Sequence, residues 1–597
     1  MFAKLSRQMS NKGAMTATTA LVAVGVVAVL PVFRDMGPRP DSGAIPVVAG
    51  RQDAPVLEEA QVIEAEVAAQ EDDSFAVADM VEQSPARPSA APAAKIARNE
   101  ASGIAAKRDR LQATAPVAGL IAPEPPMVIP AQPNTEAYPQ AAANPVKVTA
   151  EDPVSTFSID VDTASYAVIR SSLMNGQLPP RDAVRIEEMV NYFPYAYPAP
   201  TSDQAFRPTV TVTQTPWNAD TRLVHIGVQG ARPAVENRPP LNLVFLIDTS
   251  GSMNQPSKLP LLKQSFRLML GQLRPQDQVA IVTYAGSAGQ VLAPTDANDS
   301  QTIMAALDRL QAGGSTAGQA GLQQAYAVAA GMSEDGEVSR IILATDGDFN
   351  VGLSDPGTLK DYIATKRDSG TYLSVLGFGR GNLDDATMQA LAQNGNGTAA
   401  YIDTLQEAQK VLVDQLSGAL FPIADDVKIQ VEFNPAEIAE YRLIGYETRA
   451  LRREDFNNDR VDAGDIGAGH TVTALYEITP VGSAAVLNDA LRYGATDSGG
   501  ESNGELGWLK LRYKAPGASA SQLIQTPIKE GGIVPEDARF AAAIAGFGQL
   551  LTGGTYLGDW GWQDAIALAT RTKGEDAFGY RTEAVRLMRL GQSLSAQ

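Results

Sequence analysis

Three oxygen-bearing side chains stand close together directly after an apolar stretch of the chain. Asp248, Ser250 and Ser252 are two residues apart and follow 241–247, which has the composition of a strand buried on both faces. Gly251 gives the loop freedom to curl, so the three side chains can point into one small space. A carboxylate with two hydroxyls is a hard-oxygen cluster, which suits Mg²⁺ better than a soft metal.

An octahedral metal shell needs further oxygen donors, and two later stretches can supply them. Thr316 lies in a glycine-rich turn, 313–318, ahead of an apolar helical stretch. Asp346 follows a second apolar stretch, 341–345, that is typical of another buried strand. Because ligands gather at the carboxyl ends of parallel strands, we expect both side chains to meet Asp248 at that edge of a sheet. Each piece alone is also compatible with an ordinary polar loop or turn.

The pattern Asp248-x-Ser250-x-Ser252, followed by Thr316 and then by Asp346 in Thr-Asp-Gly, resembles the metal-ion-dependent adhesion site (MIDAS) of the von Willebrand factor type A (VWA) domain. The resemblance implies a site for Mg²⁺, or for Mn²⁺ or Ca²⁺, contacted directly by the two serines and the threonine. It also implies that the two aspartates act largely through bound water. The ion would then keep much of its positive charge for an Asp or Glu supplied by a partner protein.

Across 239–420, apolar strand patterns alternate with helical patterns, as a doubly wound α/β fold requires. Six strands with helices on both faces match the Rossmann-like VWA architecture that the resemblance implies. We therefore predict a mostly parallel six-stranded sheet. The predicted strands are 243–247, 278–284, 290–293, 340–345, 372–377 and 398–402.

The regions on either side of this predicted VWA domain have patterns of their own. The segment 151–238 is typical of a small α+β unit. The region 421–597 has antiparallel strand patterns at 427–433, 439–446, 470–478 and 506–513, followed by amphipathic helices at 536–551, 562–569 and 582–594. Both regions resemble those that flank the VWA domain in a group of bacterial envelope proteins. The resemblance lies in 178–189, Pro216-Trp217, 454–459 and 466–477; it spans about 152–597 and assigns the flanks no chemistry.

The amino terminus predicts a membrane segment. Lys4, Arg7 and Lys12 lie in 1–15, a predicted cytoplasmic end, before the uncharged apolar stretch 16–33, which is just long enough to span a bilayer. Bulky residues at its end favour an uncleaved anchor over a removed signal peptide. We expect a single-pass inner-membrane protein with its bulk periplasmic or extracytoplasmic, or a secreted one if the segment is cleaved. The Pro- and Ala-rich stretch 34–150 is typical of a disordered linker.

Composition excludes several classes of function. A formal net charge of −20 argues against a nucleic-acid partner, because no excess of basic residues is available to replace phosphate counterions. The absence of cysteine excludes disulfides and thiolate chemistry, and two histidines leave little room for histidine-based catalysis. We predict a non-enzymatic, metal-dependent adhesion or scaffold protein of the bacterial envelope that binds a partner carboxylate. Its oligomeric state stays open.

Two alternatives remain from the residues alone. One is a structural envelope protein whose metal site only stabilises the fold. The other is a Mg²⁺-dependent phosphatase with a covalent aspartyl intermediate, in which Asp160 and Asp162 form the nucleophile motif and Asp384 and Asp385 supply distant carboxylates. The lysine that such a site needs at the start of a helix is missing from the stretch between them.

Overall fold

The computed structural model describes residues 135–159, 162–201, 204–232, 238–285, 287–314, 318–334, 336–347, 356–415, 418, 420–461, 463–489, 491–493 and 504–596. All of them belong to one compact unit, Ala122–Gln597.

The strands and helices of these residues are numbered in chain order. The strands are β1 (Lys147–Val148), β2 (Val154–Ser158), β3 (Phe206–Thr215), β4 (Asn218–Gly230), β5 (Leu241–Asp248), β6 (Gln278–Ala285), β7 (Ser287–Asp296), β8 (Val338–Thr345), β9 (Thr371–Phe378), β10 (Ala399–Ile402), β11 (Pro422–Phe433), β12 (Ile438–Ile444), β13 (Ala450–Leu451), β14 (Gly464–Gly467), β15 (Thr471–Pro480), β16 (Glu505–Lys514) and β17 (Ser521–Lys529). The α-helices are α1 (Ala164–Met174), α2 (Ile186–Asn191), α3 (Leu259–Leu270), α4 (Ser300–Arg309), α5 (Gly318–Met332), α6 (Pro356–Asp368), α7 (Asp385–Asn394), α8 (Leu405–Gln409), α9 (Glu536–Thr552), α10 (Trp562–Thr572) and α11 (Tyr580–Ser595).

The central sheet has the strand order β10-β9-β8-β5-β6-β7. Its strands are parallel except for β7, which runs antiparallel to β6. From β5 the chain builds outward through β6 and β7, then crosses to β8 and builds the other way. The strand order therefore reverses between β5 and β8, and the carboxyl ends of these two strands form a topological switch point, where α/β proteins bind ligands.

Apolar layers cover both faces of this central sheet. Leu243, Phe245 and Ile247 of β5 pack on one face with helices α3, α4 and α8. Val244 and Leu246 point to the other face and pack with α5 and α7. Burial on both faces explains the continuous apolar run of β5. The predicted doubly wound, mostly parallel six-stranded fold is confirmed.

The strands that precede and follow the central domain form two antiparallel sheets, here called the flanking sandwich. One sheet has the order β1-β12-β15-β4-β3; the other has the order β13-β2-β11-β16-β17, with β14 paired to β11. In register, His225 of β4 faces Leu475 of β15, and Phe157 of β2 faces Ile429 of β11. The segment 151–238 and the region 421–597 thus share both sheets and one apolar core, which their separate sequence patterns did not predict.

A helical layer completes the flanking part. Helices α9, α10 and α11 pack with α1 and α2 around a core that includes Tyr166, Met189, Phe193, Phe540 and Met588. The three carboxy-terminal helices were predicted within a few residues of their observed bounds. Strand β17 was not predicted. Its sequence contains Pro527, and it lies at the edge of its sheet, where proline is tolerated.

Residues 135–148, which the sequence placed in the disordered linker 34–150, are held by the folded part. Thr135 N donates to Gly381 O across 2.9 Å, and Ala137 N donates to Leu383 O across 3.0 Å. Strand β1 pairs with β12. The linker prediction is therefore wrong for its last residues, because their backbone groups find partners in the distant part of the chain. The remainder of that stretch, with 1–15 and 16–33, lies outside the described residues.

The predicted inner-membrane location needs correction. Within the part of the chain that the structure describes, no helix combines the length and apolar character needed to cross a bilayer. The segment 16–33 that motivated the prediction is outside that part. We therefore withdraw the location in the inner membrane.

Candidate metal site

Asp248 is the last residue of β5 and lies at the switch point of the central sheet. Its side chain is fully buried, and its Oδ1 accepts a hydrogen bond from the Ser250 backbone N–H across 2.7 Å. This bond folds the loop back on the end of the strand. A short 3₁₀ turn, Gly251–Asn254, follows, and it brings the Ser250 and Ser252 hydroxyl oxygens within 3.0 Å of one another.

Asp346 comes directly after β8, the parallel neighbour of β5. Its carboxylate takes part in hydrogen bonds with Ser252 and Lys258. Burial would raise the pKa of Asp346, but these two partners outweigh it and hold the pKa below its ordinary value. The hydrogen bond with Ser252 links the carboxyl end of β8 to the loop after β5.

The pKa of the Asp248 carboxyl is shifted in the opposite direction. Burial, with a smaller contribution from the nearby Asp346 charge, raises its pKa to about 6. Oδ2 of Asp248 is buried and has no hydrogen-bond partner of normal geometry among the described residues, although Tyr284 is close enough to favour the charged form. A buried carboxylate oxygen in this state is stabilised by an added cation.

Thr316, the fifth predicted ligand, lies outside the described residues. The turn that leads to it is described and contacts the first loop: Gly313 N donates to Thr249 O across 2.7 Å, and Gly251 N donates to Gly314 O across 3.2 Å. Four of the five predicted residues, Asp248, Ser250, Ser252 and Asp346, are thus brought together. Their role as metal ligands stays a prediction.

Lys258 is a component of the site that the sequence did not predict. Its side chain is 2% exposed, and its Nζ donates to Asp346 Oδ2 across 2.9 Å and to Asn382 Oδ1 across 3.0 Å. In the sequence Lys258 directly precedes the stretch that forms α3, and a lysine at the start of a surface helix is normally solvated. One signal was present: a positive charge at a helix amino terminus is unfavourable unless a carboxylate compensates it.

The donor set suits a hard divalent ion. Within the described ranges, no group of three or more His, Cys, Asp and Glu side chains could hold a metal. This site instead combines two carboxylates with two serine hydroxyls, so only oxygen donors are available. Oxygen ligands select ions of the Mg²⁺, Ca²⁺ and Mn²⁺ type. The buried Oδ2 of Asp248 is the atom whose environment such an ion would improve most.

The described carboxylates of the phosphatase alternative have other interaction partners. Asp160 lies outside the described residues. Asp162 forms an ion pair with Arg449 across 3.0 Å, and Asp385 forms one with Arg185 across 2.8 Å. Asp384 caps helix α7 by accepting a hydrogen bond from the Thr387 N–H. These three carboxylates therefore have structural partners of their own.

Both histidines belong to the flanking sandwich. His225 is in β4, and His470 immediately precedes β15. Burial lowers the pKa of each to about 4. They are neutral near pH 7 and lie in a different part of the fold from Asp248 and Asp346.

Comparisons with known proteins match three regions of the chain. The family described as von Willebrand factor type A domain matches residues 242–415. A family described as von Willebrand factor matches 132–225, and one described as uncharacterized protein YfbK, C-terminal, matches 418–594. VWA domains commonly bind a divalent metal at the MIDAS and generally act as non-enzymatic interaction domains, often in metal-dependent adhesion.

Two solved structures are similar to parts of this chain. A von Willebrand factor type A protein from Catenulispora acidiphila is 16% identical, with a TM-score of 0.36 over 64% of this chain and 90% of its own. Proximal thread matrix protein 1 from the mussel byssus, described with a zinc-occupied MIDAS motif, is 21% identical, with a TM-score of 0.26 over 32% of this chain and 46% of its own.

One relative is similar over most of its length. The uncharacterized protein YfbK of Escherichia coli strain K12 is 46% identical over 476 residues, which cover 78% of this chain and 82% of that protein. The aligned length far exceeds the VWA domain, so the likeness includes the flanking sandwich. The chain therefore belongs to the YfbK family of bacterial proteins, in which a VWA domain is joined to a YfbK C-terminal domain.

Proposed function

We propose that this protein binds a partner protein through a divalent cation, with Mg²⁺ the first candidate, held by Asp248, Ser250, Ser252, Thr316 and Asp346. The partner would supply an Asp or Glu carboxylate. One observation carries the proposal: the Asp248 carboxyl is buried at the switch point with its Oδ2 lacking a normal hydrogen bond, beside two serine hydroxyls and a second carboxylate.

The donor types support recognition of a carboxylate. Serine and threonine hydroxyls carry no formal charge, so a cation that they hold directly is neutralised less than one held by several carboxylates. When bound, the ion would supply a positive centre for an oxygen ligand from outside the chain. Asp346 already forms hydrogen bonds with Ser252 and Lys258, which supports contact with the ion through bound water and not directly.

Binding fits this site better than catalysis. Metal-assisted hydrolysis needs a general base or nucleophile beside the ion. The two histidines lie in the flanking sandwich, and the cation closest to Asp346 is Lys258, whose Nζ is committed to Asp346 and Asn382. These placements support an interaction role.

The test is capture of partners from an extract of the native organism with immobilised protein, in Mg²⁺ buffer and in chelator. We expect a partner that is retained only with Mg²⁺ and is lost with Asp248→Ala. Glu334→Ala is a matched control, because this exposed carboxylate lies between α5 and β8, at the opposite edge of the sheet. It should capture as the wild type does.

Melting temperatures decide between recognition and a stabilising metal. A captured partner that contacts the metal must be lost with Asp248→Ala while the variant still melts cooperatively near the wild-type temperature. Loss of folding and capture together would indicate an ion that only stabilises the fold. Capture that is unaffected by chelator and by Asp248→Ala would contradict the proposal.

A further inference from the structure

A buried lysine stands beside the candidate metal ligands. Lys258 precedes α3, and its ammonium contacts Asp346 Oδ2 at 2.9 Å. Both side chains are almost completely buried, at 2% and 0% exposure of the side chain. A positive charge so close to a cation site is electrostatically unfavourable for the cation, since like charges a few ångströms apart repel strongly where water is excluded.

The surrounding loop holds this ammonium in place. Asn382 Oδ1 accepts its second hydrogen bond at 3.0 Å. The aliphatic stem of Lys258 lies against Gly379, where the backbone has φ +77° and any Cβ would collide with the stem. Lys258 is therefore held on the Asp346 side of the site by two hydrogen bonds and by the packing of its stem.

The loop that carries Asn382 is held in place by contacts with other segments. Arg380 forms an ion pair with Glu136, and the Gly381 N–H donates to the same carboxylate across 2.9 Å. Arg380 also donates to Ser172 Oγ of α1 across 3.1 Å. The Arg380 charge is compensated by Glu136, so Lys258 remains the positive charge that acts on Asp346.

The formal charges of Asp248, Asp346 and Lys258 can be added. Asp248 and Asp346 together carry −2, and Lys258 reduces this to −1. A divalent ion in a site of charge −1 leaves a net charge of +1 for an incoming ligand. Without the lysine, the same ion would leave no net charge.

We propose that Lys258 sets the charge of the metal site: it weakens the hold on the divalent ion and, in exchange, keeps the bound ion attractive to a partner carboxylate. This inference rests on the proposed function. It makes Lys258 a determinant of specificity, because it opposes tight metal binding and favours anionic ligands over neutral ones.

The proposal requires two effects of opposite sign in Lys258→Met, which keeps the stem and removes the charge. The affinity for a divalent cation should rise about ten-fold, and the affinity of the metal-loaded protein for a carboxylate should fall several-fold. If Lys258 had only a structural role, its replacement would loosen the site and lower both the affinity for the cation and the affinity for the carboxylate.

The experiment uses purified full-length chain and Mn²⁺ as the probe. Free Mn²⁺ is measured by electron paramagnetic resonance during titration, which gives the metal dissociation constant. Acetate is then titrated into the Mn²⁺-loaded protein, and its binding is followed by the loss of water-proton relaxation as it displaces metal-bound water. Lys510→Met is the matched control, because this lysine pairs with Glu432 in the flanking sandwich, and it should bind both probes within about three-fold of the wild type.

A second variant covers the risk that Lys258→Met does not fold. Asn382→Asp leaves the lysine in place and adds a carboxylate next to its ammonium, so it should shift both affinities in the same directions. Circular dichroism in chelator establishes folding for each variant.

The outcomes separate the two proposals. Tighter Mn²⁺ and weaker acetate in Lys258→Met or in Asn382→Asp support a charge-setting Lys258. Wild type that binds Mn²⁺, with variants of equal or lower affinity for it, overturns this role and leaves the proposed function standing. If Mn²⁺ tightens but acetate does not weaken, the inference is also overturned. If wild type and variants all fail to bind Mn²⁺, the metal-dependent function falls and this inference falls with it.

Discussion

Arg170 Nη2 lies 2.7 Å from Glu407 Oε2, and this buried ion pair joins α1 of the flanking part to α8 of the VWA domain. The same guanidinium binds Asp403 of the VWA domain and Glu583 of α11. Three carboxylates from two parts of the fold therefore share one arginine. Burial without such pairing would be costly, so Arg170 couples the two parts.

The first prediction concerns this coupling. Arg170→Met should lower the free energy of unfolding by about 3–5 kcal/mol, because it leaves buried carboxylates without their partner. All four tryptophans, Trp217, Trp508, Trp560 and Trp562, lie outside the VWA domain, so their fluorescence follows the flanking part alone. We expect the urea transitions by fluorescence and by far-ultraviolet circular dichroism to coincide in the wild type and to separate in the variant. Arg267→Met, which removes an exposed ion pair with Asp308, should change stability by less than about 1 kcal/mol.

The second prediction concerns pH and Glu187. Burial, with repulsion from Glu447 and Glu188, raises its pKa from 4.5 to about 7, and its Oε2 has no hydrogen-bond partner among the described residues. The folded state then binds the proton more tightly than the unfolded state. The charged Glu187 therefore destabilises the folded protein fully above about pH 7, and this destabilisation is absent below about pH 4.5. Glu187→Gln should be more stable than wild type at pH 8, by at most about 3 kcal/mol, with no gain at pH 4.

Its neighbour Glu188 supplies the contrast. Burial would raise its pKa, but Arg185 outweighs this and lowers it, and the carboxylate accepts hydrogen bonds from Ser165 N and Gln389. Glu188→Gln should therefore destabilise the protein near neutral pH. Thermal melts of both variants across the pH range check the two signs, and equal behaviour of the two glutamines would contradict the assignment.

The third prediction concerns Asp248 in the metal-free protein. Burial raises its pKa to about 6. The charged carboxylate therefore lowers the free energy of unfolding most above about pH 6 and does not lower it below about pH 3.8. At pH 7.5 in chelator, Asp248→Asn should be as stable as the wild type or more so, by at most about 3 kcal/mol. Added Mg²⁺ should reverse the order, because a ligand at a hundred times its dissociation constant stabilises the wild type by about 2.7 kcal/mol. An asparagine variant that gains as much from Mg²⁺ would show that the ion binds elsewhere.

The fourth prediction compares two glycines. Gly347 follows Asp346, has φ +101°, and its Cβ would lie 2.6 Å from Asn382 O and from Leu383 Cα. Gly347→Ala should cost more than about 2 kcal/mol and weaken metal binding, because the loop carrying Asn382 must move. Gly331 lies within α5 with open space around its Cα, so Gly331→Ala should stabilise by up to about 1 kcal/mol. Urea denaturation with and without Mg²⁺ measures both.

The fifth prediction concerns the segment that precedes β1 and contains Glu136. Glu136 binds Arg380 and the Gly381 N–H, and these contacts hold its pKa near 2 against the effect of burial. Glu136→Ala should speed amide hydrogen exchange in 379–384 while leaving exchange in β12 unchanged. Unaltered exchange in that loop would show that the segment does not hold it.

Much of this protein follows from its sequence. The apolar runs ending at Ile247 and Thr345 predict buried strands, because a strand covered on both faces must be apolar throughout. Asp248, Ser250 and Ser252 are close in the chain, so a local motif suffices to place them together. Asp346 could be assigned as well, because the ends of parallel strands always share one edge of the sheet. These are properties of short stretches or of general topology.

Other features depended on which distant surfaces meet. The pairing of β4 with β15 and of β2 with β11 joins segments more than 200 residues apart, and alternation alone does not say which strands are neighbours. Lys258 looks in the sequence like the solvated start of a helix; its burial against Asp346 and Asn382 arises only when loops after β5, β8 and β9 converge. The sequence by itself determined the strands and the oxygen donors, whereas the tertiary structure decided the charge around them, because a charge's partners are set by packing between remote segments.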